Sequence, residues 1–178
     1  PLYKNPNAPT ENRVKDLLGR MTLAEKIGQL CCPLGWEMYT KAGEKHVQPS
    51  AKFIEQMDKM PVGAFWATLR ADPWTKKTLK TGLNPELAAH TLNGLQKYAV
   101  ENTRLGIPIF FAEECVHGHM AIGTTVFPTG IGLASTWNRE LIKEVGSVIG
   151  LEARLQGAHI GYGPVLDVAR EPRWSRME

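Results

Sequence analysis

The chain has 178 residues, 43% hydrophobic and 22% charged, with 21 Lys and Arg against 18 Asp and Glu for a formal charge of +3. This ordinary globular composition excludes a disordered chain, a collagen-like repeat and a long coiled coil. No apolar run approaches the roughly 18 residues of a membrane span, and no basic cluster offers a surface to nucleic acid, so neither partner is expected.

The first ten residues, rich in Pro and Asn, read as an extended lead-in. Val14, Leu17 and Leu18 then form a helical stripe. Thr22 with Glu25 three residues on is a capping box that opens a second helix through Ile27 and Leu30, stopped by Pro33. Gly35 to Pro49 has no clear period and reads as a loop. Ser50 caps a short helix carrying Phe53, Ile54 and Met57. Val62 to Thr68 (VGAFWAT) is a short apolar run suited to a buried strand. Asn84-Pro85-Glu86 combines a capping Asn, a Pro at the first helical position and an acid in the first turn, and the helix it starts runs to about Asn102.

Ile107 to Glu113 (IPIFFAE) predicts a second buried strand. Asn138 caps a third long helix with Leu141, Ile142, Val145, Val148, Ile149 and Leu155 on one face, and Gly157 fits its C-terminal cap. Tyr162 to Val168 holds a third strand, weakened by Gly163 and Pro164. Continuous apolar strands alternating with amphipathic helices predict a parallel sheet, whose ligands bind beyond the strands' C-terminal ends. Arg70 and Asp72, Glu113 to His119, and Asp167 to Arg176 occupy those places.

Length alone suggests one domain, but three parallel strands leave two unpaired edges, and a (β/α)8 barrel needs at least about 200 residues. The ending Arg176-Met177-Glu178, with no helix after the third strand, favours the front portion of something longer.

Glu113 to His119 is the densest polar cluster. Neighbouring carboxylates on a strand point to opposite faces, so Glu113 and Glu114 do not share one site. For Glu114, sugar hydroxyls, acid–base work and a buried carboxylate satisfied by backbone donors all stay open. His117 and His119 form a His-x-His that could begin a metal site, against a structural pair. Asp167 to Arg176 offers arginine forks for hydroxyls or carboxylates and a Trp face for a sugar ring, or else an ion-paired surface loop. Gly161-Tyr162-Gly163 lacks the third glycine of a dinucleotide fingerprint. Cys31, Cys32 and Cys115 match neither a disulfide framework nor a zinc spacing and are read as buried free thiols.

Four segments in order, DLLGRMTLAEKIGQL, RLGIPIFFAEECVHG, TTVFPTGIGLASTW and GPVLDVAREPRWSR, strongly resemble the N-terminal part of glycoside hydrolase family 3. The match runs from about Asp16 to the end and is weakest between Gly35 and Gly82. The resemblance implies an α/β fold, a partial (β/α)8 barrel of about three β/α units, followed in the family by an α/β sandwich. It implies an exo-acting, retaining β-glycosidase, a β-glucosidase or β-xylosidase, secreted or periplasmic, with a glycoside or oligosaccharide substrate and no cofactor.

In the family, the acid before the x-x-His-Gly step binds hydroxyls of the terminal sugar, and so does the last Arg of Pro-Arg-Trp-x-Arg. Here these are Glu114 and Arg176. His117, Asp167 and Arg173 match motif positions as supporting residues. Many β-glucosidases of the family carry Asp where this chain has Glu114, and Ser175 replaces the usual Gly. The family's Asp nucleophile and its acid/base lie on later segments, so residues 1–178 are expected to be one portion of the barrel domain. The rest of the enzyme would supply the catalytic pair. A non-catalytic sugar-binding fragment and a metal-dependent hydrolase using His117 and His119 are the alternatives.

Overall fold

A computed structural model describes residues 1–176; Met177 and Glu178 lie outside the described residues. A short 3-10 turn at Leu2–Lys4 precedes α1 (Thr10–Arg20) and α2 (Leu23–Gln29). The predicted capping box is present: the Thr22 hydroxyl accepts from the Glu25 N–H at 3.2 Å, and the Glu25 carboxylate accepts from the Thr22 N–H at 2.8 Å.

The segment read as a loop instead forms an antiparallel hairpin, β1 (Tyr39–Ala42) with β2 (His46–Pro49), turning at Gly43 with φ +66°. Only Tyr39 of its strand residues is buried. The apolar alternation that marks a strand is therefore almost missing from this sequence.

Next come α3 (Ala51–Lys59), β3 (Ala64–Trp66), α4 (Pro85–Asn102), β4 (Phe110–Glu114), α5 (Gly130–Ala134), α6 (Arg139–Leu155) and β5 (Ile160–Tyr162). Strands β3, β4 and β5 form the expected parallel sheet in chain order, with Ala64 opposite Phe110 and Glu114 opposite Tyr162. Each is shorter than its apolar run. The third begins earlier than predicted and ends at Tyr162, because Pro164 has no N–H to donate to a ladder. The short helix α5 carries no side-chain cap bond and left no sequence signal.

The sheet has a further parallel neighbour that the sequence reading missed. Beyond α2, Leu34 bridges in parallel to Trp66, the Trp66 N–H donates to the Pro33 carbonyl at 2.9 Å, and the Gly35 N–H donates to the Trp66 carbonyl at 2.6 Å. Backbone therefore lies against β3 on both sides. Pro33 and Gly35 keep this stretch too short and irregular to look like a strand.

The two faces of the sheet differ. Phe65, Phe111 and Glu113 point into the main core, where Phe53 and Met57 of α3 and Leu87, Leu92 and Leu95 of α4 meet them. The opposite face carries Trp66, Phe110, Glu114, Ile160 and Tyr162, of which Phe110 is 58% and Tyr162 45% exposed. The apolar face of α6 is only partly covered: Val145 is buried and Ile149 half-buried, while Leu141, Ile142, Val148 and Leu155 are exposed. The cysteines are free, but not all buried as expected. Cys115 is buried, Cys31 is intermediate, and Cys32 is exposed beyond the end of α2.

Candidate functional site

Glu114 is the last residue of β4, on the open face of the sheet. One strand away, the Trp66 indole N–H donates to Glu114 Oε1 at 2.8 Å. In register Trp66 faces Ala112, so the bond runs diagonally along the face to a side chain two residues further on. Among the described residues Glu114 Oε2 has no hydrogen-bond partner. Glu113 points the other way, as the two-residue period requires.

Three indoles surround this end of the sheet. The ring centroids of Trp36 and Trp66 are 6.0 Å apart, those of Trp36 and Trp74 5.1 Å, and those of Trp66 and Trp74 5.7 Å. The Arg70 guanidinium stands 4.6 Å from the Trp74 ring and 5.8 Å from the Trp66 ring, while its Nε donates to Asp72 at 2.6 Å. Burial pushes the Asp72 carboxyl up, but the Thr75 N–H and the Arg70 guanidinium outweigh it and hold Asp72 below the usual carboxylate range. Arg70 thus stacks on the indole faces while paired with Asp72.

Arg70 stands over the Trp66 ring whose indole N–H holds Glu114, and Asp72 is paired with Arg70. The three tryptophans were missed as a group. Trp66 reads as filler in an apolar run, and Trp36 and Trp74 fall in irregular segments.

His117 is spent differently: its Nδ1 lies 2.9 Å from the Phe127 carbonyl oxygen, which makes Nδ1 the protonated nitrogen. Its ring borders an apolar groove with Leu133, Ile142 and Pro164. The next residue, Gly118, has φ +129°, and a Cβ there would collide with the Thr125 carbonyl, so only glycine fits this step. His119 is buried, with Nε2 3.9 Å from Glu113 Oε2. The two rings serve separate surroundings, and no group of three His, Cys, Asp or Glu side chains placed to hold a metal occurs among the described residues. Burial, with Glu113 and Glu114 adding to it, pushes the Cys115 thiol up to about 11. It remains a thiol at neutral pH and is a poor nucleophile.

Asp167, Arg170, Arg173 and Arg176 lie on an exposed segment after β5. Within it Arg173 pairs with Glu171, its Nε donating at 2.7 Å. Arg176 is exposed at the end of that segment, and Trp174 is half-buried.

The model of the glycosyl hydrolase family 3 N-terminal domain matches residues 22–178. A periplasmic β-glucosidase of Salmonella typhimurium is 33% identical over 163 residues, which cover 92% of this chain and 17% of that protein. A periplasmic β-glucosidase/β-xylosidase of Dickeya chrysanthemi is 30% identical over 99% of this chain and 26% of its own length. Among solved structures, a Listeria innocua β-glucosidase in complex with glucose superposes with a TM-score of 0.64 at 28% identity, over 93% of this chain and 20% of that one. The chain thus spans 17–26% of the length of these relatives.

Proposed function

The chain belongs to glycosyl hydrolase family 3, and from that premise we propose that it is the sugar-holding front of an exo-acting, retaining β-glycosidase that removes terminal β-linked glucose or xylose. Its α/β fold is part of a (β/α)8 barrel, with the exposed face of the sheet turned to the barrel interior.

The observation that carries the reading is Glu114: a carboxylate at a strand's C-terminal end, fixed on one oxygen by the Trp66 indole and set among aromatic rings. A carboxylate oxygen with no partner among the described residues can accept a pair of sugar hydroxyls, and indole faces pack on the C–H faces of a pyranose. Arg176 meets the same sugar in this reading, while His117, Asp167 and Arg173 support the loops around it.

Retaining hydrolysis needs a carboxylate nucleophile and an acid/base about 5–5.5 Å apart. Glu113 faces the core and Glu114 the sheet's open side, so this neighbouring pair does not supply them. The nucleophile and acid/base belong, in this proposal, to segments outside these 178 residues. The periplasmic relatives support export from the cytoplasm. The test is turnover of nitrophenyl β-glucoside and β-xyloside by the whole protein, with the first-formed anomer read by NMR. The β-anomer is expected; the α-anomer first, or no turnover of either glycoside, would overturn the proposal.

A further inference from the structure

We propose that Glu113 is a positioning residue: its buried carboxylate fastens the loop after β3 to the end of β4 and so holds Arg70 over the indoles beside Glu114. The proposal rests on the sugar-binding reading of Glu114 but concerns a residue on the other side of the sheet.

Glu113 is fully buried, and both its oxygens accept the Leu69 N–H, at 3.1 Å from Oε1 and 3.3 Å from Oε2. Leu69 immediately precedes Arg70. The loop that Glu113 grips starts at Ala67, whose φ of +60° is a conformation that a residue with a side chain adopts only when its surroundings impose it. The Ala67 N–H donates to the Ala112 carbonyl at 2.7 Å, which leaves the Glu113 carboxylate as the next anchor along the loop.

The same loop is then sewn to the segment after β4. The Ala71 N–H donates to the Met120 carbonyl at 2.9 Å, Arg70 bridges to Ala121, and the Met120 N–H returns to the Glu114 carbonyl at 3.0 Å. Glu113 lies beneath this seam with His119, whose Nε2 is 3.9 Å away and whose two ring nitrogens have no hydrogen-bond partner among the described residues.

A buried carboxylate is costly, and burial pushes the Glu113 carboxyl up, against the pull of His119 and the Leu69 N–H. An apolar side chain of similar size would fill the space at less electrostatic cost but would leave the Leu69 N–H unpaired. The consecutive acids thus divide the work. Glu114 meets the ligand, and Glu113 aligns the wall against which the ligand packs.

The whole protein carrying E113Q or E113M tests this. Gln keeps an oxygen acceptor for the Leu69 N–H, and Met keeps the volume without one. E113Q should hold KM within about threefold of wild type and leave the near-ultraviolet circular dichroism of the tryptophans unchanged. E113M should raise KM about tenfold, the effect of one lost anchoring hydrogen bond, leave kcat within about threefold, and alter the tryptophan spectrum. R70A should reproduce the rise in KM. Wild-type KM and spectrum in E113M, or an equal loss in E113Q, would overturn the proposal. If E113M fails to fold, E113Q decides: wild-type KM supports the anchor and a tenfold rise refutes it. If the wild-type protein turns over no glycoside, the sugar-binding reading fails, while the spectra of the two variants still decide the anchor.

Discussion

Trp66 and Glu114 meet diagonally across β3 and β4, indole N–H to carboxylate oxygen at 2.8 Å. A Glu side chain has three torsions to fix, and binding a sugar through a mobile carboxylate loses that freedom each time. If Glu114 holds a sugar as proposed, the indole removes part of that loss in advance by fixing one oxygen.

Trp66→Phe keeps an aromatic ring and deletes only the donor. A hydrogen bond to a charged group is worth about 1.5–3 kcal/mol, so kcat/KM on a nitrophenyl β-glycoside is expected to fall at least tenfold, with little change in the thermal midpoint. Wild-type kcat/KM in Trp66→Phe would show that the indole bond does not orient Glu114.

Glu114→Asp retracts the carboxylate by one methylene, beyond easy reach of the indole. A change in the glucoside-to-xyloside ratio of kcat/KM is expected, because a displacement of about a bond length alters which hydroxyls are reached. Arg176→Ala should lower turnover of both glycosides severely while leaving stability near wild type. An unchanged ratio in the first variant, or near-normal turnover in the second, would remove that residue from the site.

Gly118→Ala should destabilise the protein by about 1–3 kcal/mol, since the new Cβ meets the Thr125 carbonyl at a backbone angle that side chains avoid. Chemical denaturation measures this directly. An unchanged midpoint would mean that the loop relaxes without cost.

The acid limb of stability should depend on Glu25. Its bond to Arg104 (Nε to Oε1, 2.9 Å), then the Thr22 N–H and hydroxyl, outweigh desolvation and bring its pKa from 4.5 down to about 2. The unfolded chain therefore binds the proton first. The contribution is complete above pH 4.5 and is lost as pH falls toward about 2. Glu25→Gln should flatten that part of the stability profile, and an unaltered slope would contradict the assignment.

Much of this molecule was legible because its helices announce their starts. The side-chain oxygens of Ser50, Asn84 and Asn138 each accept the expected backbone N–H, from Phe53 at 3.1 Å, Leu87 at 2.8 Å and Leu141 at 3.1 Å. The opposite orientation of Glu113 and Glu114 follows from the period of a strand. The β1–β2 hairpin was hidden because polar residues dominate both strands, and the backbone at Leu34 because Pro33 and Gly35 flank it. The convergence of Trp36, Trp66 and Trp74 was not legible, since three separate segments bring them together and no local pattern links those segments.

The central claim is that a sugar is held at Glu114 among these indoles. Titrating the whole protein with glucose and with xylose, while following tryptophan fluorescence, tests it most directly. The wild-type protein should show a saturable change with at least one of the two sugars, and Glu114→Ala, still folded, should lose it. Saturation of Glu114→Ala at the wild-type sugar concentration would contradict the account.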